Sequence, residues 1–380
     1  TNTIVISDVQ VGEVWLGGGQ SNMQRPLSGD CDAAAAISDA AEHNLRFFNV
    51  TANGGNVAST VWEVSGAGSA SNMSAVHFYF GRHLAKNMSD VPIGLITSAV
   101  SATAIERWAT CAGWGRLYEG HIVPMQPYAL RGVTWYQGEW DARGSQDSSK
   151  YYDQLPCLIG EWRADWGQGA FPFYVVQMPK MGISSIHIVR DAELQTTLDD
   201  PKVEMIVTID QPGNDVHPPC KAPFGVRLAM LARKFEYGQD LFARSPVYNA
   251  SSSYVDHEKI RVVFDNVASG LCSSVADGSC SSSDPLADGE HRGGGAGKDP
   301  QPQQLTVLEP AGLVGAHQVV GPQRGEPLLL DHRIGTHVRQ SDRADQRMHV
   351  GCGADFSDRH AGTQHDLAVK HQRCRIIQQQ

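Results

Sequence analysis

Apolar residues in the first part of the chain fall into two alternating kinds of run. Short stretches that are apolar nearly throughout, at 12–17, 92–98, 131–137, 171–178 and 204–210, predict strands covered on both faces, as a parallel sheet requires. Between them the apolar positions are spaced as on one face of a helix. The first such set is Ala75, Val76, Phe78, Tyr79, Leu84 and Ala85; the second is Tyr151, Leu155, Leu158, Ile159 and Trp162; the third is Val189, Ala192, Leu194 and Leu198. Val226, Leu228, Ala229, Leu231, Ala232 and Phe235 predict a closing helix that carries Arg227, Arg233 and Lys234 on its other side. Strands alternating with helices in this way predict an α/β fold with helices packed on a parallel sheet.

Beyond residue 245 the pattern changes twice. Tyr254 to Leu271, including Lys259-Ile260-Arg261-Val262-Val263-Phe264, alternates like one or two strands of a small β element. Residues 272–380 then contain no Trp or Tyr and one Phe, Phe356, yet hold eight of the fifteen His and the run Gln378-Gln379-Gln380. With apolar periodicity this faint, burial does not offset the cost of ordering the chain, so an irregular tail is expected. The abrupt loss of aromatics suggests non-native sequence, as a frameshift in the coding DNA would produce. A genuine low-complexity tail is the alternative. The expected division is therefore 1–245, 246–271 and 272–380.

Composition narrows the function classes. A chain of 380 residues is long enough for a large buried core, and a net charge of −10 argues against a nucleic-acid surface. No apolar run approaches the roughly 18 residues that a membrane span needs. The eight cysteines, at 31, 111, 157, 220, 272, 280, 352 and 374, show no zinc spacing, and a chain of this size needs no disulfide framework, so none is expected. Cys220, three residues after His217, reads as a small filler near that histidine. Nothing in the sequence bears on oligomeric state.

Two predicted strands run toward residues that belong together chemically. Val14-Trp15-Leu16 passes through a glycine-rich bend into Gly19-Gln20-Ser21-Asn22-Met23, and Met205-Ile206-Val207-Thr208-Ile209 precedes Asp215-Val216-His217-Pro218. A serine hydroxyl is a poor nucleophile until an imidazole removes its proton, and the imidazole needs an acidic group to hold its tautomer and stabilise its charge. Ser21, His217 and Asp215 supply those three. Ligands bind beyond the carboxyl ends of strands in open parallel sheets, which is where Ser21, Gln137 and His217 fall. Met23 stands where a G-x-S-x-G elbow has glycine, so this is a different serine-hydrolase solution. Taken singly, Ser21 reads more readily as a helix N-cap and His217-Pro218 as a turn; with the motifs together the chemical reading takes over.

Together the motifs carry a resemblance. Val11-Gly12-Glu13-Val14-Trp15-Leu16 leading into Gly19-Gln20-Ser21-Asn22-Met23, Gly132-Val133-Thr134-Trp135-Tyr136-Gln137-Gly138-Glu139, and Asp215-Val216-His217-Pro218 with Lys221 resemble the sialate O-acetylesterase-like branch of the SGNH hydrolases. The resemblance covers roughly the first 270 residues. It implies a flavodoxin-like three-layer α/β/α fold with a parallel sheet, followed by a short β accessory region. It also implies a serine esterase that removes O-acetyl groups from carbohydrates through an acyl-enzyme, without a metal or other cofactor. The substrate would be an acetylated sugar, sialic acid or a plant cell-wall glycan. A non-catalytic carbohydrate-binding protein with a degraded oxyanion loop is the alternative. The chain opens at Thr1 without a leader and enters the family pattern midway, so a lost signal peptide and a periplasmic or secreted home are expected, with the cytoplasm as the alternative.

Carried over residue by residue, the resemblance makes Ser21 the nucleophile and His217 the general base. The Ser21 N–H, the Ser101 N–H and the Gln137 side chain become the oxyanion donors. The family's Gly-Gly-Thr stretch reads Ser101-Ala102-Thr103 here. A backbone N–H survives that replacement, but the added Cβ atoms oppose the conformation that points it inward, which predicts reduced activity. Many SGNH enzymes place the acid three residues before the histidine, where Asn214 stands; the branch resembled often has Asp at the nearer position, which favours Asp215. Asn214, Glu139, Asp210 and a Ser-His pair with weaker support stay open. Gln20, Glu139 and Trp140 are the expected substrate contacts, while Trp108, Trp135 and Arg190 read as structural.

Overall fold

A computed structural model of the chain describes residues 8–266 except 51, 54–55, 58–60, 89–90, 144–146, 210, 212–213 and 257–258, together with 272–274, 303–307 and 318–320. Asp210 and most of the expected tail lie outside the described residues. The described strands before residue 245 that form the main sheet are β1 (Glu13–Gly19), β2 (Leu45–Asn49), β3 (Glu63–Val64), β4 (Ile93–Ala99), β5 (Gly132–Tyr136), β6 (Phe173–Val176) and β7 (Val203–Ile206). They lie in the order β3-β2-β4-β1-β5-β6-β7, parallel throughout except for the edge pair β2–β3.

Five of these strands are the predicted ones, and they alone stand in the flavodoxin-like order second-first-third-fourth-fifth. Strands β2 and β3 extend one side of that core and were not predicted. Leu45 and Phe47 face inward in β2 while Arg46 and Phe48 are half-exposed, so the strand alternates and lacks the continuous apolar run of its neighbours. Every residue of β4, β5, β6 and β7 is buried.

Short helix α1 (Ser21–Gln24) follows β1, and four longer helices cover the sheet: α2 (Ala75–Asn87), α3 (Tyr151–Trp166), α4 (Ile186–Asp199) and α5 (Ala222–Phe235). Successive residues of a strand point to opposite faces, and β1 shows which helix lies where. A side chain at Gly17 would meet His77 of α2, and one at Gly18 would meet Trp135 of β5 and Trp162 of α3. Thus α2 and α3 lie on opposite faces. Gly225 of α5 lets that helix approach Val76, Tyr79 and Phe80 of α2, and α3 packs with α4. Three layers result.

On the α3 side, Trp108, Trp135 and Trp162 stack edge to face, with ring centroids 5.9 and 5.7 Å apart. All three are fully buried, as expected of Trp108 and Trp135, and each such side chain contributes roughly 1.5–3 kcal/mol or more on leaving water. Among the described residues no helix is long and apolar enough to cross a membrane.

Two disulfides correct the expectation of none. Cys31 joins Cys220 across 189 residues and Cys111 joins Cys157 across 46. Neither spacing signals a pair in the sequence; the topology brings the loop after α1 beside the loop after β7. In the chain-entropy account, a closure as long as that of Cys31–Cys220 removes denatured-state freedom worth roughly 5 kcal/mol.

Residues up to Ser245 form one compact unit, and the described strands from Val247 onward belong to a second. The second contains β8 (Val247–Asp256), β9 (Lys259–Asp265), β10 (Cys272–Ser274), β11 (Gln303–Val307) and β12 (Gln318–Val320). Antiparallel sheets β8-β9-β11 and β10-β12 are formed. Three stretches of the segment expected to be irregular are therefore strands, each paired with a strand distant in the chain.

Candidate active site

The site begins where β1 ends. Gly19 has φ +139°, and a Cβ there would sit 2.1 Å from the Tyr136 carbonyl oxygen, so only glycine can turn the chain so close to β5. The Gln20 N–H then donates to that same oxygen at 3.0 Å, and Ser21 opens α1. Strand β1 lies between β4 and β5, at the point where the connections reverse direction and ligand crevices form.

The loop after β7 supplies the base. His217 Nε2 lies 2.8 Å from Ser21 Oγ, although 196 residues separate them. Both residues are half-buried, so the pair is braced by protein yet open to a substrate. Several contacts hold this loop: Asn22 Nδ2 donates to the Val216 carbonyl at 2.8 Å, the Lys221 N–H donates to Asp30 Oδ2 at 2.6 Å, and Cys220 is tied to Cys31. The imidazole is held below its ordinary pKa, first by burial and then by Arg25, Lys221 and Arg143, with Asp215 opposing.

The expected acid is placed differently. Asp215 is exposed, and its Oδ1 accepts the backbone N–H of His217 at 2.9 Å. Among the described residues the ring's Nδ1 makes no hydrogen bond. Asp215 thus shapes the loop by bonding its own turn and acts on the imidazole through space. Asn214 is exposed too. Glu139 lies away from the ring, in a buried network.

That network is the part least expected from sequence. Asn22, fully buried, donates through Nδ2 to Glu139 Oε1 as well as to Val216, while its Oδ1 accepts from Lys221 Nζ at 2.5 Å. Burial pushes Glu139 above the usual carboxylate range against the Asn22 bond, and pushes Lys221 down to about 7 against the pull of Glu139. Among the described residues Glu139 Oε2 has no hydrogen-bond partner. Glu139 is thus buried beneath the site, whereas the expected substrate contact would have placed it at the surface. The signal was its neighbourhood: Asn22 and Lys221 stand inside the same motifs as Ser21 and His217.

Gln137 and Gln20 also turn inward. Gln137 is fully buried, and its Nε2 faces the Thr103 carbonyl at 2.9 Å, Asp141 Oδ2 and Gln20 Oε1 at 3.3 Å. Two N–H groups with three acceptors leave no donor for an oxyanion, so Gln137 braces the loop as placed here. Gln20 Oε1 also faces the Trp140 N–H at 3.4 Å, and the side chain is buried rather than open to a substrate as expected. Asp141, raised to about 7 by burial, accepts the Ile105 N–H and completes this brace. Trp140 alone of the three expected contacts stays partly exposed.

In the loop after β4, the Ser101 N–H donates to Gln24 Oε1 at 2.9 Å and is not free for an oxyanion. Ala102, by contrast, has φ +57°. It occupies the left-handed region where the family has glycine, so the added Cβ does not forbid the loop's shape. Arg190 donates to the carbonyls of Met178 and Pro179 at 2.9 and 2.6 Å, a structural role. Among the described residues, Asp30, Cys31 and Asp32 are the group with metal-ligand potential. Two of its three donors are already engaged: Cys31 in the disulfide, and Asp30 by Tyr79 Oη at 2.8 Å and Lys221 N–H.

Comparisons with known proteins bear on this geometry. Residues 11–234 match the family model described as carbohydrate esterase, sialic acid-specific acetylesterase. The chain belongs to that family. The sialate O-acetylesterases of Pongo abelii and Homo sapiens are each 30% identical over 298 residues, covering 62% of this chain and 56% of their own length. The chain thus spans little more than half of those relatives. A carbohydrate acetylesterase from Xanthomonas citri shares the fold with a TM-score of 0.62 and 30% identity, covering 70% of this chain and 68% of its own.

Proposed function

We propose that this chain is a serine esterase that removes O-acetyl groups from carbohydrates. The observation that carries the reading is the 2.8 Å contact between Ser21 Oγ and His217 Nε2 at the crevice end of β1, in a family named for this activity. Ser21 attacks the acetyl carbonyl while His217 takes its proton. The imidazolium then gives that proton to the departing sugar oxygen, and the neutral ring activates water to hydrolyse the acyl-enzyme. Its depressed pKa suits the base, because the ring is neutral and ready near neutral pH.

The oxyanion is held by the N–H of Ser21, in the first turn of α1, and by the N–H of Ala102, which no acceptor among the described residues takes. Ser101 and Gln137 position these donors. Residues 1–245 form the esterase unit, and the strands from 246 belong to an accessory region. The two disulfides favour an oxidising compartment, periplasmic or extracellular.

The test is hydrolysis of p-nitrophenyl acetate and of an O-acetylated sugar by the full chain and by Ser21→Ala. Turnover by the unaltered protein and a loss of at least roughly a thousandfold on substitution are expected. Undiminished turnover by Ser21→Ala, or sugar binding without any hydrolysis, refutes the esterase.

A further inference from the structure

The loop that carries the base, between β7 and α5, is joined to the segment that leaves the nucleophile by a short series of contacts. Asn22 Nδ2 donates to the Val216 carbonyl at 2.8 Å, the Cys31 N–H donates to the Pro219 carbonyl at 3.2 Å, and the Lys221 N–H donates to Asp30 Oδ2 at 2.6 Å. The Cys31–Cys220 disulfide adds a covalent tie three residues beyond His217. On the nucleophile side the tie is anchored next to Asp30, whose Oδ1 accepts from Tyr79 Oη at 2.8 Å. What these contacts span is the 2.8 Å approach of His217 Nε2 to Ser21 Oγ. They differ in how far water reaches them. Asp30 and Lys221 are buried, whereas Cys31 is exposed and Cys220 half-buried, so the covalent tie lies at the surface and the bond beside it lies inside.

We propose that the Cys31–Cys220 disulfide is a positioning catch for the base, which makes turnover depend on oxidation: closed, it fixes His217 against Ser21, and opened by a dithiol it lets the base loop shift while the fold stands. Exposed disulfides are the ones that thiol exchange reaches. One thiolate of the dithiol attacks Cys31 Sγ, the S–S bond breaks, and Cys220 leaves as a thiolate that takes up a proton. The second thiolate of the dithiol then attacks its own sulfur in the mixed disulfide, releasing Cys31 as a thiol and closing the dithiol into its oxidised ring, so two electrons pass from reagent to protein. The hydrogen bonds from Asn22, Cys31 and Lys221 still tether the loop, so its movement is small, but about 1 Å at a catalytic group costs on the order of a hundredfold in rate. The chain would thus turn over slowly where thiols are kept reduced and gain its activity on reaching an oxidising compartment. This assignment rests on the esterase reading for the reaction that it controls.

Full-length protein is equilibrated with graded ratios of reduced to oxidised dithiothreitol and desalted under argon. Parallel samples are alkylated with iodoacetamide and mapped by peptide mass, assayed on p-nitrophenyl acetate, and reacted with a fluorophosphonate whose attachment to Ser21 is followed by intact mass. As Cys31 and Cys220 become alkylated, kcat/KM is expected to fall about tenfold or more, whatever the state of the other disulfide, Cys111–Cys157. Fluorophosphonate labelling should slow by a similar factor yet still reach one per chain, the circular dichroism should hold, and reoxidation should restore the rate. The double variant Cys31→Ser, Cys220→Ser should show the reduced protein's rate without reductant and no further response to it. Undiminished turnover once this pair is fully reduced, a fall that follows Cys111 and Cys157 instead, or labelling that keeps its rate and loses stoichiometry, as a partly unfolded sample would, overturns the proposal. Hydrolysis by the oxidised protein that is absent or independent of Ser21 refutes the esterase reading and the catch with it, whereas failure of the catch alone leaves that hydrolysis intact.

Discussion

Asn22→Ala strikes the network under the site, and its cost follows from the partners it strands. The Asn22 amide accepts from Lys221 Nζ and donates to both Glu139 and the Val216 carbonyl. Without it, Lys221 keeps only the faces of Tyr136 and Phe224, 5.6 and 5.4 Å away, and Glu139 loses its side-chain donor with its second oxygen already unpaired. Removing one member of a buried ionic arrangement typically costs about 3–5 kcal/mol. Lys221 already sits near pKa 7 and can shed its proton in response, which places the expected loss at the lower end, about 3 kcal/mol. Against a total stability of about 5–15 kcal/mol that is a large fraction.

Activity should fall as well, because the Val216 carbonyl is the residue next to His217. A displacement of the base by about 1 Å costs on the order of a hundredfold in rate. The measurements are urea unfolding at pH 7 and kcat/KM on p-nitrophenyl acetate, with Asn22→Asp as a companion. Asp keeps an acceptor for Lys221 but loses the donor to Val216 and sets two acids together, so it too should lose activity. A destabilisation by Asn22→Ala below about 1 kcal/mol with kcat/KM intact would refute the argument.

Three further outcomes are expected. Since burial and the neighbouring cations hold His217 below its ordinary value of 6.5, the acid limb of the kcat/KM profile should inflect below that value, the rate falling only as the ring becomes protonated; an inflection at or above it contradicts the site's electrostatics. Asp215→Asn should cost no more than about tenfold, against the roughly 10⁴-fold loss of a ring-bonded triad acid, because an amide oxygen can accept the His217 N–H equally well; a triad-sized loss would put the carboxylate on the ring. Ala102→Gly should stabilise the fold by about 0.5–1 kcal/mol in chemical unfolding, the relief of a left-handed alanine less the added freedom of the unfolded chain, and a net destabilisation would contradict the strained backbone.

The five core strands and four long helices were legible because their signals are local: continuous apolar runs for strands buried on both faces, helical spacing for helices with one. Strand β2 escaped because Leu45 and Phe47 alternate with partly exposed residues in a short segment, and β3 because two residues carry no period. The meeting of Ser21 and His217 was legible from chemistry, since a hydroxyl and an imidazole following strand ends in one parallel sheet share an edge. What each amide and carboxylate does there was not. Gln137, Gln20 and Glu139 have the same residue types whether they face a ligand or the interior, and burial decides between them. The disulfide of Cys31 with Cys220 depends on loop proximity that no spacing encodes.

Charge movement during attack links the mouth of the site to its base. In the proposed mechanism a positive charge arrives on His217 as Ser21 loses its proton, where Arg25, Lys221 and Arg143 oppose it and Asp215 favours it only through space. At an effective dielectric of about 20, a unit charge roughly 8 Å away alters such a step by about 2 kcal/mol. Half of that effect, about 1 kcal/mol, is roughly a fivefold change in rate. Arg25→Gln removes one of the opposing charges, so the acid limb of the kcat/KM profile should move upward in that variant. A limb that stays where it is in the unaltered protein would mean that the Arg25 guanidinium is too far from His217, or too well screened, to influence the proton.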